Sequence, residues 1–119
     1  MHHAVRAQLV LGCSIENELR PYGMVQLRAG AALIDLVDLK SREGAWARPE
    51  VPGGRNVDHV CIALANCDEQ QLRGHLLAHG VTITEEGMRR GASGESFSCY
   101  VRDPSGNSIE LKTPPSSRR

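Results

Sequence analysis

Apolar and polar residues alternate with a period of two in several short runs, and with a helical period in one. In "NVDHVCIAL" (56–64), Val60, Ile62 and Leu64 share one parity, while His59, Cys61 and Ala63 share the other, the signature of a strand. "CDEQQLRGHLLAHG" (67–80) reads as a helix. Asp68 is placed to cap it, Gln71 completes a capping box, Gly80 ends it, and Leu72, Leu76 and Leu77 form the expected buried stripe. "YVRDPSGNSIELK" (100–112) alternates up to Arg102, breaks at Asp103-Pro104-Ser105-Gly106-Asn107, and resumes through Leu111. A loop over 103–107 sets Tyr100 opposite Glu110 and Arg102 opposite Ser108.

The pattern occurs twice. Aligning Gly12 with Gly80 pairs Ile15 with Ile83 and Glu18 with Glu86. Further on, "LRAGAALIDL" (27–36) resembles "VRDPSGNSIEL" (101–111), with Asp35 matching Glu110 once about seven extra residues are allowed in the second copy. The Gly/Arg-rich stretch "GMRRGASGES" absorbs them, and 88–96 reads as a solvated crossover loop. Residues 1–11 read as a helix. The second copy is β-α-β-β-β. The first has no counterpart of the strand that carries His59, so the expectation is a module lacking its opening strand, or a chain that starts late.

Composition narrows the classes. The chain has 119 residues, with 14 Lys plus Arg balanced by 14 Asp plus Glu. One domain fits this length. The charge balance gives no reason to expect nucleic-acid or membrane-surface binding. No apolar run reaches the roughly 18 residues of a membrane span. The N-terminus lacks a signal-peptide layout, so a soluble cytoplasmic protein is expected. Cys13, Cys61, Cys67 and Cys99 form no C-x-x-C pair. Cys61 and Cys99, in strand-like runs, are expected to pack as small apolar residues.

A tandem β-α-β-β-β pair, with a histidine on the opening strand and D-P-x-G-N-x-I-E-L at the close, resembles the vicinal oxygen chelate superfamily of glyoxalases, bleomycin-binding proteins, fosfomycin-resistance proteins and extradiol dioxygenases. The resemblance spans roughly residues 5–113, most closely at "VDHVCIAL" and "YVRDPSGNSIELK". It implies an α+β fold in which tandem βαβββ modules form a curved mixed sheet around a cavity. One glyoxalase-like domain then covers 1–113, with module one at 1–39, a linker at 40–56 and module two at 57–113, followed by a disordered tail at 114–119.

The resemblance also implies a site. Asp35, His59 and Glu110 match metal-ligand positions, for a divalent ion such as zinc, nickel, iron or manganese. Glu110 matches the catalytic base, and the activity implied is that of a metal-dependent lyase or isomerase on a small molecule with adjacent oxygens. A metal-free small-molecule binding protein and a ring-cleaving dioxygenase are the alternatives, and a homodimer is the expected assembly. Tyr100 is placed to orient Glu110 or a substrate oxygen. Arg89 or, with more weight, Arg90 is placed to meet an anionic substrate. His2 and His3 lie near a mobile terminus, and His75 with His79 share a helix face as surface residues.

Overall fold

A computed structural model describes residues 12–47, 52–54 and 56–115. The expected helix over 1–11, with His2 and His3, part of the linker, and residues 116–119 of the tail lie outside the described residues. The chain divides into two compact units between Asn56 and Val57. Among the described residues there is no helix long and apolar enough to cross a membrane.

The first unit holds an antiparallel three-stranded meander of β1 (Ser14–Leu19), β2 (Met24–Ala29) and β3 (Ala32–Val37), in that order. Alternation along β2 sends Leu27 into a small core with Cys13, flanked by Val25, Ala29 and Leu36. Gln26, on the opposite face, is also buried; its side-chain oxygen accepts a 3.0 Å hydrogen bond from Asn17, and Asp35 is its cross-strand partner on the other side. A single 3-10 turn at Arg20–Tyr22 joins β1 to β2 and closes on Gly23 at φ 64°, a left-handed conformation that favours glycine. A side chain on Gly23 would also collide with the backbone of Gly44, which returns over this turn.

The second unit is a βαβββ module, as expected. Its strands are β4 (Val60–Ala63), β5 (Glu85–Gly91), β6 (Gly94–Arg102) and β7 (Ser108–Lys112), in the order β4-β7-β6-β5, with β4 parallel to β7 and the rest antiparallel. Helix α1 (Glu69–Ala78) connects β4 to β5. Its capping box is complete: Gln71 N–H donates to Asp68 Oδ1 at 2.8 Å, and Asp68 N–H donates to Gln71 Oε1 at 2.9 Å. Leu72 and Leu76, one helical turn apart, join Cys99 and Val101 in the core, with Leu64, Phe97, Ile109 and Leu111 packed around them.

Four expectations are corrected. Leu77 is 80% exposed, because it sits one ~100° step around the helix from the Leu72/Leu76 stripe. The strand expected over 56–64 is regular only at Val60–Ala63, and residues 56–59 are irregular. Cys99 is buried as expected, but Cys61 is exposed, because β4 lies at the edge of its sheet and all four of its residues, of either parity, are exposed. The stretch 88–96 is not a crossover loop. It is the tip of a long β5–β6 hairpin, paired from Glu85↔Tyr100 to Gly91↔Gly94.

Candidate functional site

The site is built on the face of the second sheet that α1 does not cover. Cross-strand register lines up Glu85, Tyr100, Glu110 and Cys61 in one row, and Gly87, Ser98 and Lys112 in the next. The Tyr100–Glu110 pairing is the one set by a 103–107 loop. Asp103 builds that loop: its Oδ1 accepts from the N–H groups of Ser105 and Asn107, and its Oδ2 accepts from the Asn107 amide.

His59 stands just ahead of β4 and reaches over this row. Its Nε2 lies 3.0 Å from Glu110 Oε1 and its Nδ1 lies 2.8 Å from Asp58 Oδ2. Tyr100 meets the imidazole edge-on, with ring centroids 5.2 Å apart and planes at 78°. Glu110 is buried, whereas Asp58 is substantially exposed.

Each ionisation follows from these contacts. The Glu110 hydrogen bond, joined by that from Asp58, outweighs burial and pushes His59 up to about 9. Burial alone would raise Glu110. The His59 bond and the neighbouring Ser98 hydroxyl outweigh it, holding the carboxyl below its ordinary value. Burial and the Glu110 charge push the Tyr100 phenol upward. The site at neutral pH is therefore an imidazolium–carboxylate pair beside a neutral phenol. Ser98 is fully buried beside Glu110, near enough to act on its charge but short of full hydrogen-bond geometry.

Two residues join the face without having been singled out. Lys112 is buried two positions beyond Glu110, donating to the carbonyls of Arg89 and Ser96. Burial lowers its pKa against the opposing pull of Glu110. Shared parity with Glu110 was the available signal. Asp58 was signalled only by adjacency to His59. Of the two arginines, Arg89 has the parity of Glu85 and places its guanidinium 5.7 Å from the Tyr100 ring centroid. Arg90 alternates to the other face, pairs in register with Glu95 and is exposed. The arginine on this face is Arg89, a correction to the weight put on Arg90.

The residues fit part of a metal site. His59 Nε2 and Glu110 Oε1 are hydrogen-bonded at 3.0 Å, and a tetrahedral cation about 2.1 Å from each would hold them about 3.4 Å apart, so the pair would have to spread slightly to share an ion. These two donors form a half-site in the second unit. Asp35 belongs to the first unit, exposed on β3 opposite Gln26. Among the described residues no group of three or more His, Cys, Asp or Glu side chains is set to hold a metal ion. Surface hollows elsewhere in the second unit, by Cys67, Gln71 and Phe97 and by Val81, Thr84 and Pro104, do not include His59, Tyr100 or Glu110.

No protein-family model matches this chain. No curated protein matches it either. Solved structures similar to it include an integron cassette protein from the mobile metagenome of V. cholerae, at 29% identity, covering 92% of this chain and 82% of that one, with a TM-score of 0.40. A virulence protein from Salmonella typhimurium is 26% identical, covering 92% and 83%, with a TM-score of 0.42. A lactoylglutathione lyase from Agrobacterium tumefaciens is 21% identical, covering 92% and 81%, with a TM-score of 0.32. What the structure itself shows is an α+β chain in which a βαβββ unit follows a three-stranded meander of matching register.

Proposed function

We propose that this protein is a divalent-metal-dependent lyase or isomerase of the vicinal oxygen chelate type, acting on a small molecule with two neighbouring oxygens. The observation that carries the reading is the 3.0 Å approach of His59 Nε2, just ahead of β4, to Glu110 Oε1 on the neighbouring β7, two metal-ligand types close enough for one cation to take both. His59 and Glu110 would hold the ion, in a protein working as a homodimer. When bound, the ion would stabilise an enediolate-like oxyanion as a Lewis acid.

The remaining work falls to the chain's own side chains. Glu110, ionised across the neutral range, is the proton acceptor between adjacent substrate carbons. Tyr100 keeps its proton far into the alkaline range and sits directly opposite, so its hydroxyl can donate to a substrate oxygen. Arg89, beside the Tyr100 ring, supplies positive charge for an anionic group on the substrate.

A metal-free small-molecule binding protein is the second reading. The imidazolium–carboxylate pair favours it, since each partner already satisfies the other. Calorimetric titration with Zn²⁺, Ni²⁺, Mn²⁺ and Fe²⁺, on the wild type and His59→Ala, separates the two. Binding lost in His59→Ala, with turnover of an α-ketoaldehyde–thiol adduct, supports the lyase. Metal binding with turnover of a catechol instead supports a dioxygenase. Binding unchanged by His59→Ala excludes this site as the metal centre.

A further inference from the structure

We infer that Asp58 is a positioning residue for His59: it holds the Nδ1 proton and so reserves Nε2, on the Glu110 side, as the nitrogen that meets a bound cation. This rests on the metal reading above. Three contacts surround the imidazole: Asp58 Oδ2 at 2.8 Å from Nδ1, Glu110 Oε1 at 3.0 Å from Nε2, and the Tyr100 ring edge-on.

The backbone leaves this orientation to the side chains. Residues 56–59 are irregular, and the β4–β7 ladder begins only at Val60↔Ile109. No strand pairing therefore fixes the His59 backbone. An imidazole can ligate through either nitrogen, and the partner of the other nitrogen decides which. Glu110 alone would select the wrong one, because a carboxylate facing Nε2 favours a proton there. Asp58 supplies a second acceptor on the opposite nitrogen. With Asp58 Oδ2 at 2.8 Å from Nδ1, that nitrogen would remain the hydrogen-bond donor and Nε2, beside Glu110, would be the one to hold a cation. Because the Asp58 side chain is substantially exposed, replacing it leaves the packed core intact.

The test uses the full chain as wild type, Asp58→Ala and Asp58→Asn, with Zn²⁺ alone as the probe. Calorimetry should show Zn²⁺ binding weakened ~10- to 100-fold in Asp58→Ala, the usual effect of losing a ligand's hydrogen-bond partner. Asp58→Asn keeps an oxygen acceptor and should recover most of that affinity. In the metal-free protein, proton NMR should show a downfield, slowly exchanging His59 Nδ1–H that disappears in Asp58→Ala and persists in Asp58→Asn. Unfolding midpoints should fall only slightly in Asp58→Ala, by the share of the His59 pairing that Asp58 supplies. Unchanged Zn²⁺ affinity in Asp58→Ala overturns the inference even if the Nδ1–H signal is lost, because Asp58 would then touch the ring without positioning it. A wild type that takes up no Zn²⁺ removes the metal reading instead. The orientation of His59 by Asp58 is then judged on the Nδ1–H signal alone, and is overturned if that signal is absent from the wild type.

Discussion

The two sheets share a register and differ in what they carry on it. Asn17↔Gln26↔Asp35 crosses the first sheet just as Glu85↔Tyr100↔Glu110 crosses the second. One row over, Glu18↔Val25↔Leu36 matches Glu86↔Cys99↔Leu111 on the core side of each. On the other side, Leu19↔Met24↔Val37 matches Gly87↔Ser98↔Lys112. One face is therefore chiefly amide and apolar in the first unit and ionisable in the second. Hairpin length differs as well: Asn17 is nine residues before Gln26, whereas Glu85 is fifteen before Tyr100. The longer hairpin is what brings Arg89 to the Tyr100 ring. The comparison separates two properties that are often conflated. The meander geometry is common to both copies, while the chemistry depends on a few substitutions and one insertion.

The largest expected effect tests whether the shared geometry means shared burial. Leu27→Ala and Leu72→Ala, one in each core, should each cost about 3 kcal/mol of stability, read from denaturant midpoints. A much smaller loss at Leu27 would break the parallel. Next comes the chemistry. Glu110→Gln should cut turnover ~10²-fold or more, equivalent to about 2.7 kcal/mol of barrier. Asp35→Asn, at the matching register position in the other unit, should cost turnover far less. Equal losses of turnover at saturation would make the two rows chemically equivalent and erase the distinction.

The alkaline range gives a third test. His59 is raised from 6.5 to about 9 in the fold, so its pairing stabilises fully below pH 6.5 and is lost as pH rises through 9. Glu110 is shifted the other way, contributing above its ordinary value of 4.5 and losing that contribution as pH falls through its depressed one. Stability should plateau between these limits and fall by about 2 kcal/mol towards pH 9.5, after discounting the shift for partial exposure. His59→Gln should flatten this slope, and Asp35→Asn should leave it. Chemical denaturation at several pH values checks both. The smallest effect is at the cap: Asp68→Ala should cost about 1 kcal/mol, measured as a shift in denaturation midpoint.

Much of the second unit was legible before any coordinates. Period-two alternation gave its sheet, the Asp68/Gln71 pair gave its helix start, and the turn residues 103–107 fixed the register that sets Tyr100 against Glu110. The β5–β6 hairpin was not legible. Gly87 and Gly91 within β5 and Gly94 at the start of β6 read as breakers, while Met88, Arg89 and Arg90 show no apolar alternation, so strand pairing there rests on backbone hydrogen bonds that leave no sequence trace. Leu77 was misassigned because three leucines in six positions exceed the width of one helix stripe. Lys112 escaped notice because a lysine at a strand end is ordinarily solvated. Here two backbone carbonyls hold it inside. At the 59/110 site, the repeat pointed to Glu110 and the family resemblance to His59, but the bracing of the imidazole by Asp58 is a matter of rotamers, which composition does not record.

The sole tryptophan gives the two-unit organisation a practical readout. Trp46 donates its indole N–H to the Tyr22 carbonyl at 2.8 Å, wholly within the first unit. Tyr100, packed against His59, lies in the second. Red-edge excitation should therefore report on the first unit alone, while tyrosine emission carries a contribution from the second. Melting followed at both wavelengths would show whether the halves unfold as one cooperative block or in sequence.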